Sequence, residues 1–101
     1  MSTLNSGAQI SLEEAQNLVK AFQAKFPNEV KSFLIDIDLV KLLVSQPDCS
    51  GMRIYFGYDE SQKKITPVLI GVNEQNVDLT KGVILDRMTS CPEVCPTNSE
   101  L

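Results

Sequence analysis

The chain contains no histidine. That absence removes Ser-His and Cys-His nucleophilic pairs, imidazole general bases and histidine metal ligands. Cysteine is scarce. Cys49, Cys91 and Cys95 are too few, and odd in number, for the disulfide framework of a small secreted domain, and they favour a reducing compartment. Positive charge is also in short supply, with 9 Lys and Arg against 13 Asp and Glu and a net charge of -4. So few dispersed cations make no footprint for a phosphate backbone, and no nucleic-acid partner is expected. Long apolar runs are missing, and residues 1–9 show neither the basic start nor the apolar stretch of a secretory signal. No membrane association is expected, and a cytoplasmic location is. Gly51, Gly57, Gly71 and Gly82 stand in no Gly-rich strand-to-helix turn, so nothing supports a nucleotide or any other cofactor.

What is present is an ordinary globular composition. A length of 101 residues leaves room for one core, and 43% hydrophobic with 22% charged residues lies outside the regime of intrinsic disorder. The chain divides into a flexible leader over 1–10, a domain over 11–88 and an irregular Cys- and Pro-containing tail over 89–101. Ser11 followed by Glu14 forms a capping-box pattern. From there Leu12, Ala15, Leu18, Val19, Phe22 and Phe26 recur at helical spacing up to Pro27, predicting a helix over 12–26 whose apolar stripe faces the core.

The segment 32–46 carries two patterns, strand-like alternation through Ile35 to Leu39 and helical repetition through Leu39 to Leu43. It is split into a strand over 32–36 and a helix over 39–46, with Asp38 as N-cap and Pro47 as the stop. Met52, Ile54, Phe56 and Tyr58 then alternate with Arg53, Tyr55 and Gly57 as a strand. After a polar turn at 59–64, residues 65–72 return as a second strand, so an antiparallel hairpin is predicted. Pro67 has no N–H for the ladder, which places its strand at an edge or makes this point the strand's start. Residues 83–85 suggest a short fourth strand. The resulting fold class is α+β, a two-layer sandwich with two helices on one face of a three- or four-stranded, mostly antiparallel sheet.

Gly51-Met-Arg-Ile-Tyr-Phe-Gly57, Val68-Leu-Ile-Gly-Val72, Gln46-Pro47 and Cys91-Pro-Glu-Val-Cys95 together resemble a group of small uncharacterised Bacteroidota-type bacterial proteins, over residues 11–97. The group has no assigned activity. The resemblance implies the helix-strand-helix-hairpin layout and a bacterial origin, and transfers no catalytic residue. Asp36 stands where similar chains have glycine, which puts a tight turn after the first strand in question.

Three sites are candidates for chemistry. Cys91 and Cys95 have a Cys-x-x-x-Cys spacing that permits a disulfide or a shared metal; with Cys49 they make three thiolates, one short of the usual zinc set. A redox-active or tail-stapling disulfide, formed without disturbing the core, competes with a metal site and with inert thiols. Arg53 and Tyr55 share the strand face opposite Met52, Ile54 and Phe56, where they could accept a carboxylate or a peptide; the ordinary polar outward face of a half-buried strand explains them better. Asp36 and Asp38 fit a cap and a solvated charge better than a catalytic pair. No catalytic constellation and no metal site result. The leading reading is a small non-enzymatic interaction or assembly module, with a protein partner or self-association. The alternatives are an enzyme or ligand-binding protein using the Arg53/Tyr55 face, and a thiol redox or metal-binding protein using Cys91 and Cys95.

Overall fold

Ser11 opens the first helix as its pattern predicts. In the computed structural model, which describes residues 4–101, the Ser11 hydroxyl accepts from the Glu14 N–H at 3.1 Å, and α1 spans Leu12–Lys25. The leader expected over 1–10 lies partly outside the described residues, at positions 1–3. α1 keeps its amphipathic spacing, yet none of its residues is buried. The expectation that its stripe packs into the core is therefore corrected: Leu12, Leu18, Phe22 and Phe26 remain exposed. Phe22 and Phe26 instead tilt against each other, ring centroids 5.2 Å apart. Periodicity marks a face that needs cover and does not supply the cover.

The two-pattern segment divides into β1, Ser32–Leu34, and α2, Ile37–Val44. The cap is Asp36 and not Asp38. The Asp36 carboxylate accepts from the Asp38 N–H at 2.8 Å, while Asp38 drops into the first turn, where negative charge suits the helix dipole. Asp36 itself is extended, at φ -65° and ψ 135°, so this position does not require glycine.

β2, Gly51–Asp59, and β3, Lys64–Val72, form the antiparallel hairpin, in register from Gly51 opposite Val72 to Asp59 opposite Lys64. Asp59 organises the turn, its Oδ1 accepting from the Ser61 N–H at 3.0 Å, the Ser61 hydroxyl at 2.7 Å and the Gln62 N–H at 3.1 Å. β4, Ile84–Leu85, joins the other side of β3, so the sheet order is β2-β3-β4. Pro67 consequently lies in the central strand and not in an edge strand. β4 pairs only with Leu69 and Ile70, so Pro67 falls beyond its end, where a missing donor costs no ladder bond.

A second, two-stranded sheet pairs β1 with β5, Thr89–Cys91, with Ser32 opposite Cys91. The segment read as an irregular tail thus opens with a strand, and its Ser90 and Cys91 are buried. Three residues ahead of a proline carry too little alternation to be read as a strand. Lys64 Nζ ties the hairpin to this sheet, donating to Ser90 Oγ at 2.9 Å.

The core is Leu43 of α2 against Leu69 and Leu85, with Ile35, Cys49, Val83 and Met88 packed around them. Gln46 fastens α2 to the sheet: its amide nitrogen donates to the Leu43 carbonyl at 2.8 Å and its amide oxygen accepts from the Val83 N–H at 2.8 Å. Both helices stand over the same face of the larger sheet. α2 packs directly, whereas Phe22 of α1 faces Ile54, Phe56, Ile65 and Pro67 across a groove of about 420 Å³. The architecture is α+β, with two helices and two antiparallel sheets.

Candidate functional site

Strand alternation puts Arg53 and Tyr55 on one face of β2, with Ile70 and Val68 directly across on β3. What they meet comes from the loop after β3. Asn73 folds that loop back on itself, its side-chain oxygen accepting from the Gln75 N–H at 2.9 Å and the Val77 N–H at 3.0 Å. The returning chain lays Asp78 opposite Val72 as an antiparallel bridge. Directly opposed residues share a face, so the Asp78 side chain emerges on the face that carries Arg53 and Tyr55.

The Asp78 carboxylate accepts from both, through Oδ1 from the Arg53 guanidinium and through Oδ2 from the Tyr55 hydroxyl. Asn76 Oδ1 accepts from the second terminal nitrogen of Arg53. Asp78 lies across β3 from β2, so Arg53 and Tyr55 must span two strand spacings of about 4.8 Å each to reach it. In doing so they roof over Ile70 and Val72, which are buried on the side of the sheet that carries Arg53 and Tyr55. The ion pair is partly shielded, with side chains 33% exposed at Arg53 and 19% at Asp78.

The arrangement brings Arg53 and Tyr55 together as expected, and commits both to a carboxylate of the chain itself. Asp78 and Asn76 were not found by sequence reasoning, because only the Asn73 turn aligns them with β2. An open groove of about 590 Å³ adjoins the cluster, lined by Leu4, Ser6, Met52, Arg53, Ile54, Val72 and Asn76. Neither Tyr55 nor Asp78 reaches it.

No family model, curated protein or solved structure matches this chain. Its own geometry is the guide to the rest.

Cys91 and Cys95 are joined as a disulfide, their Cα atoms 4.6 Å apart. Cys91 is buried in β5, so the bond anchors the last residues to the small sheet instead of closing a ring outside the core. Cys49 is separate; its thiol donates to the Gly51 carbonyl at 3.3 Å. Among the described residues no three Cys, Asp or Glu side chains converge as metal ligands, and no helix is long and apolar enough to cross a membrane. Asp36 serves as the α2 cap. Asp59 has its carboxyl held below the ordinary aspartate range by the Ser61 hydroxyl first and the Gln62 N–H next.

The outer side of β2 is the remaining feature with chemical potential. Leu79 N–H donates to the Gly71 carbonyl at 2.8 Å and Asn73 N–H to the Val77 carbonyl at 3.0 Å, so Gly71 and Asn73 turn their backbones away from β2. By alternation Val72, Ile70 and Val68 face β2. Across the ladder, the backbone groups of Met52, Ile54, Phe56 and Tyr58 then point outward from the sheet. Among the described residues no backbone hydrogen bond from outside the strand ladders reaches them. Their side chains share the face on which the helices stand and are 41%, 56%, 89% and 57% exposed. This reverses the expected assignment of faces: the apolar row of β2 is the more open one.

Proposed function

We propose that this chain is a non-enzymatic interaction or assembly module that docks a protein partner along β2. The observation that carries the reading is a nine-residue edge strand with an exposed apolar row. Monomeric proteins blunt such edges with charge, proline, bulges or covering segments, and a long apolar one is a pairing site. The surface area agrees. The chain exposes 8000 Å², where area scaling for 11.2 kDa gives about 5,700 Å². Its radius of gyration of 15.2 Å exceeds the ~13 Å usual for this length. Residues 5–10 and the residues after Cys91 are exposed and contribute to that surplus, as do the uncovered stripe of α1 and the β2 row.

The negative net charge favours a protein over a nucleic-acid partner. Arg53 and Tyr55 enter this reading as the brace that stiffens β2 for docking, their polar groups already paired with Asp78. Cytosolic residence, proposed from the odd cysteine count, goes with a dithiol form of Cys91 and Cys95 in the cell and a disulfide on oxidation. The test is the native mass of the full chain taken from its own cellular background, compared with Phe56→Lys. A heavier species that the substitution releases supports the module; a free monomer under both conditions overturns it.

A further inference from the structure

The open edge of β2 is self-complementary, and we infer that its partner is a second copy of this chain, paired antiparallel through β2 about a two-fold axis beside Tyr55. This rests on the module reading above and names the partner.

The outward backbone groups belong to Met52, Ile54, Phe56 and Tyr58, evenly spaced on one strand. Set against a copy of itself with Tyr55 opposite Tyr55, the strand places Met52 across from Tyr58 and Ile54 across from Phe56. Every outward group then finds a hydrogen-bonding mate, in about eight N–H···O bonds. Sliding the pairing by two residues strands one outward residue of each chain without a mate, so this register is the best satisfied.

The side chains fit the same register. The apolar row meets only apolar or aromatic residues, and Arg53 falls opposite Gly57, so no like charges meet. Asp59 falls opposite Gly51, again without a like charge. A two-fold axis normal to the sheet keeps equivalent faces on the same side, giving one continuous six-stranded sheet. Both apolar rows and all four helices then lie on one face. The two grooves between α1 and the sheet, each lined by Phe22, Ile54 and Phe56, come to flank the new strand pair. The surface surplus of roughly 2,300 Å² per chain, part of which belongs to residues 5–10, the tail and the α1 stripe, leaves room for the ~800 Å² that a stable dimer buries on each partner.

The experiment measures mass and register together. The purified full chain is expected to run at twice 11.2 kDa across micromolar concentrations. Phe56→Lys, at a side chain 89% exposed in the single chain, should weaken the dimer by about tenfold or more while the circular dichroism of the monomer stays unchanged. In a Cys49→Ser background, Tyr55→Cys should form an interchain disulfide under mild oxidation, because non-hydrogen-bonded antiparallel pairs bring Cα atoms to about 4.5 Å. Tyr58→Cys, about six residues from its own symmetry mate, should not. A monomeric parent chain at all concentrations overturns the inference, as does cross-linking of the Tyr58→Cys variant as efficient as that of Tyr55→Cys. A monomeric purified chain found beside a Phe56-dependent complex with a different protein in the cell refutes the second copy and leaves the module reading standing.

Discussion

Replacing Asp78 by alanine removes the group on which both Arg53 and Tyr55 converge. A charge-assisted hydrogen bond contributes about 1.5–3 kcal/mol when shielded. With one third of the Arg53 side chain exposed, water recovers part of that loss, which leaves about 1–2 kcal/mol for the ion pair. The Tyr55 hydroxyl, on a residue 47% exposed, adds about 0.5 kcal/mol. Asp78→Ala should therefore lower stability by about 2 kcal/mol, seen in urea unfolding as a lower midpoint at unchanged slope. For a domain of this size that is a fall in Tm of about 8–16 °C. The double-mutant cycle with Arg53→Met should give a coupling energy of about 1 kcal/mol, since the two side chains touch. A loss within about 0.3 kcal/mol of zero, or strict additivity with Arg53→Met, would refute the brace. The same variant separates brace from receptor. If Arg53 and Tyr55 formed a site for an external carboxylate that Asp78 merely occupies, Asp78→Ala would bind free acetate and regain stability with increasing acetate. The brace predicts no such recovery.

Three further outcomes are expected. The Asp59 carboxyl is lowered chiefly by the Ser61 hydroxyl; its contribution to the hairpin is therefore present above the unfolded aspartate range and lost as pH falls through the lower folded value. Titration by NMR should show Ser61→Ala moving its midpoint upward, and no movement would remove the hydroxyl as the cause. Gln46→Ala leaves the Val83 N–H without its acceptor and should cost about 1–3 kcal/mol, measured by denaturant midpoint. Cys91 is buried whereas Cys95 is exposed, so under reducing conditions Cys91→Ser should destabilise measurably and Cys95→Ser should not; equal effects would place the tail outside the core.

Much of the fold was legible because local chemistry and tertiary structure agree. Ser11 and Pro27 bracket α1, and the Met52 to Val72 alternation with its polar turn specifies the hairpin. The split of 32–46 was also legible, although two aspartates compete for the cap and Asp36, two residues earlier, takes it. The failures have a common origin. Whether the stripe of α1 is buried, and which face of β2 is open, depend on what stands opposite, and that is a property of packing across the chain. Pro67 reads as a sign of an edge strand or of a strand's start, when the relevant variable is how far β4 extends. At the candidate site Arg53 and Tyr55 were visible as a pair on one strand face, but Asp78 joins them only through the Asn73 turn, in a loop beyond the next strand.

Gln46 has a consequence for the dynamics of the domain. Because its amide oxygen accepts from the Val83 N–H while its nitrogen holds the last turn of α2, that backbone proton is shielded by a side chain and not by a strand partner. Its exchange with solvent deuterium therefore follows the undocking of α2, whereas the amides bonded within the β2–β3 ladder follow opening of the hairpin. One amide signal in the loop before β4 thus reports when the helical layer leaves the sheet.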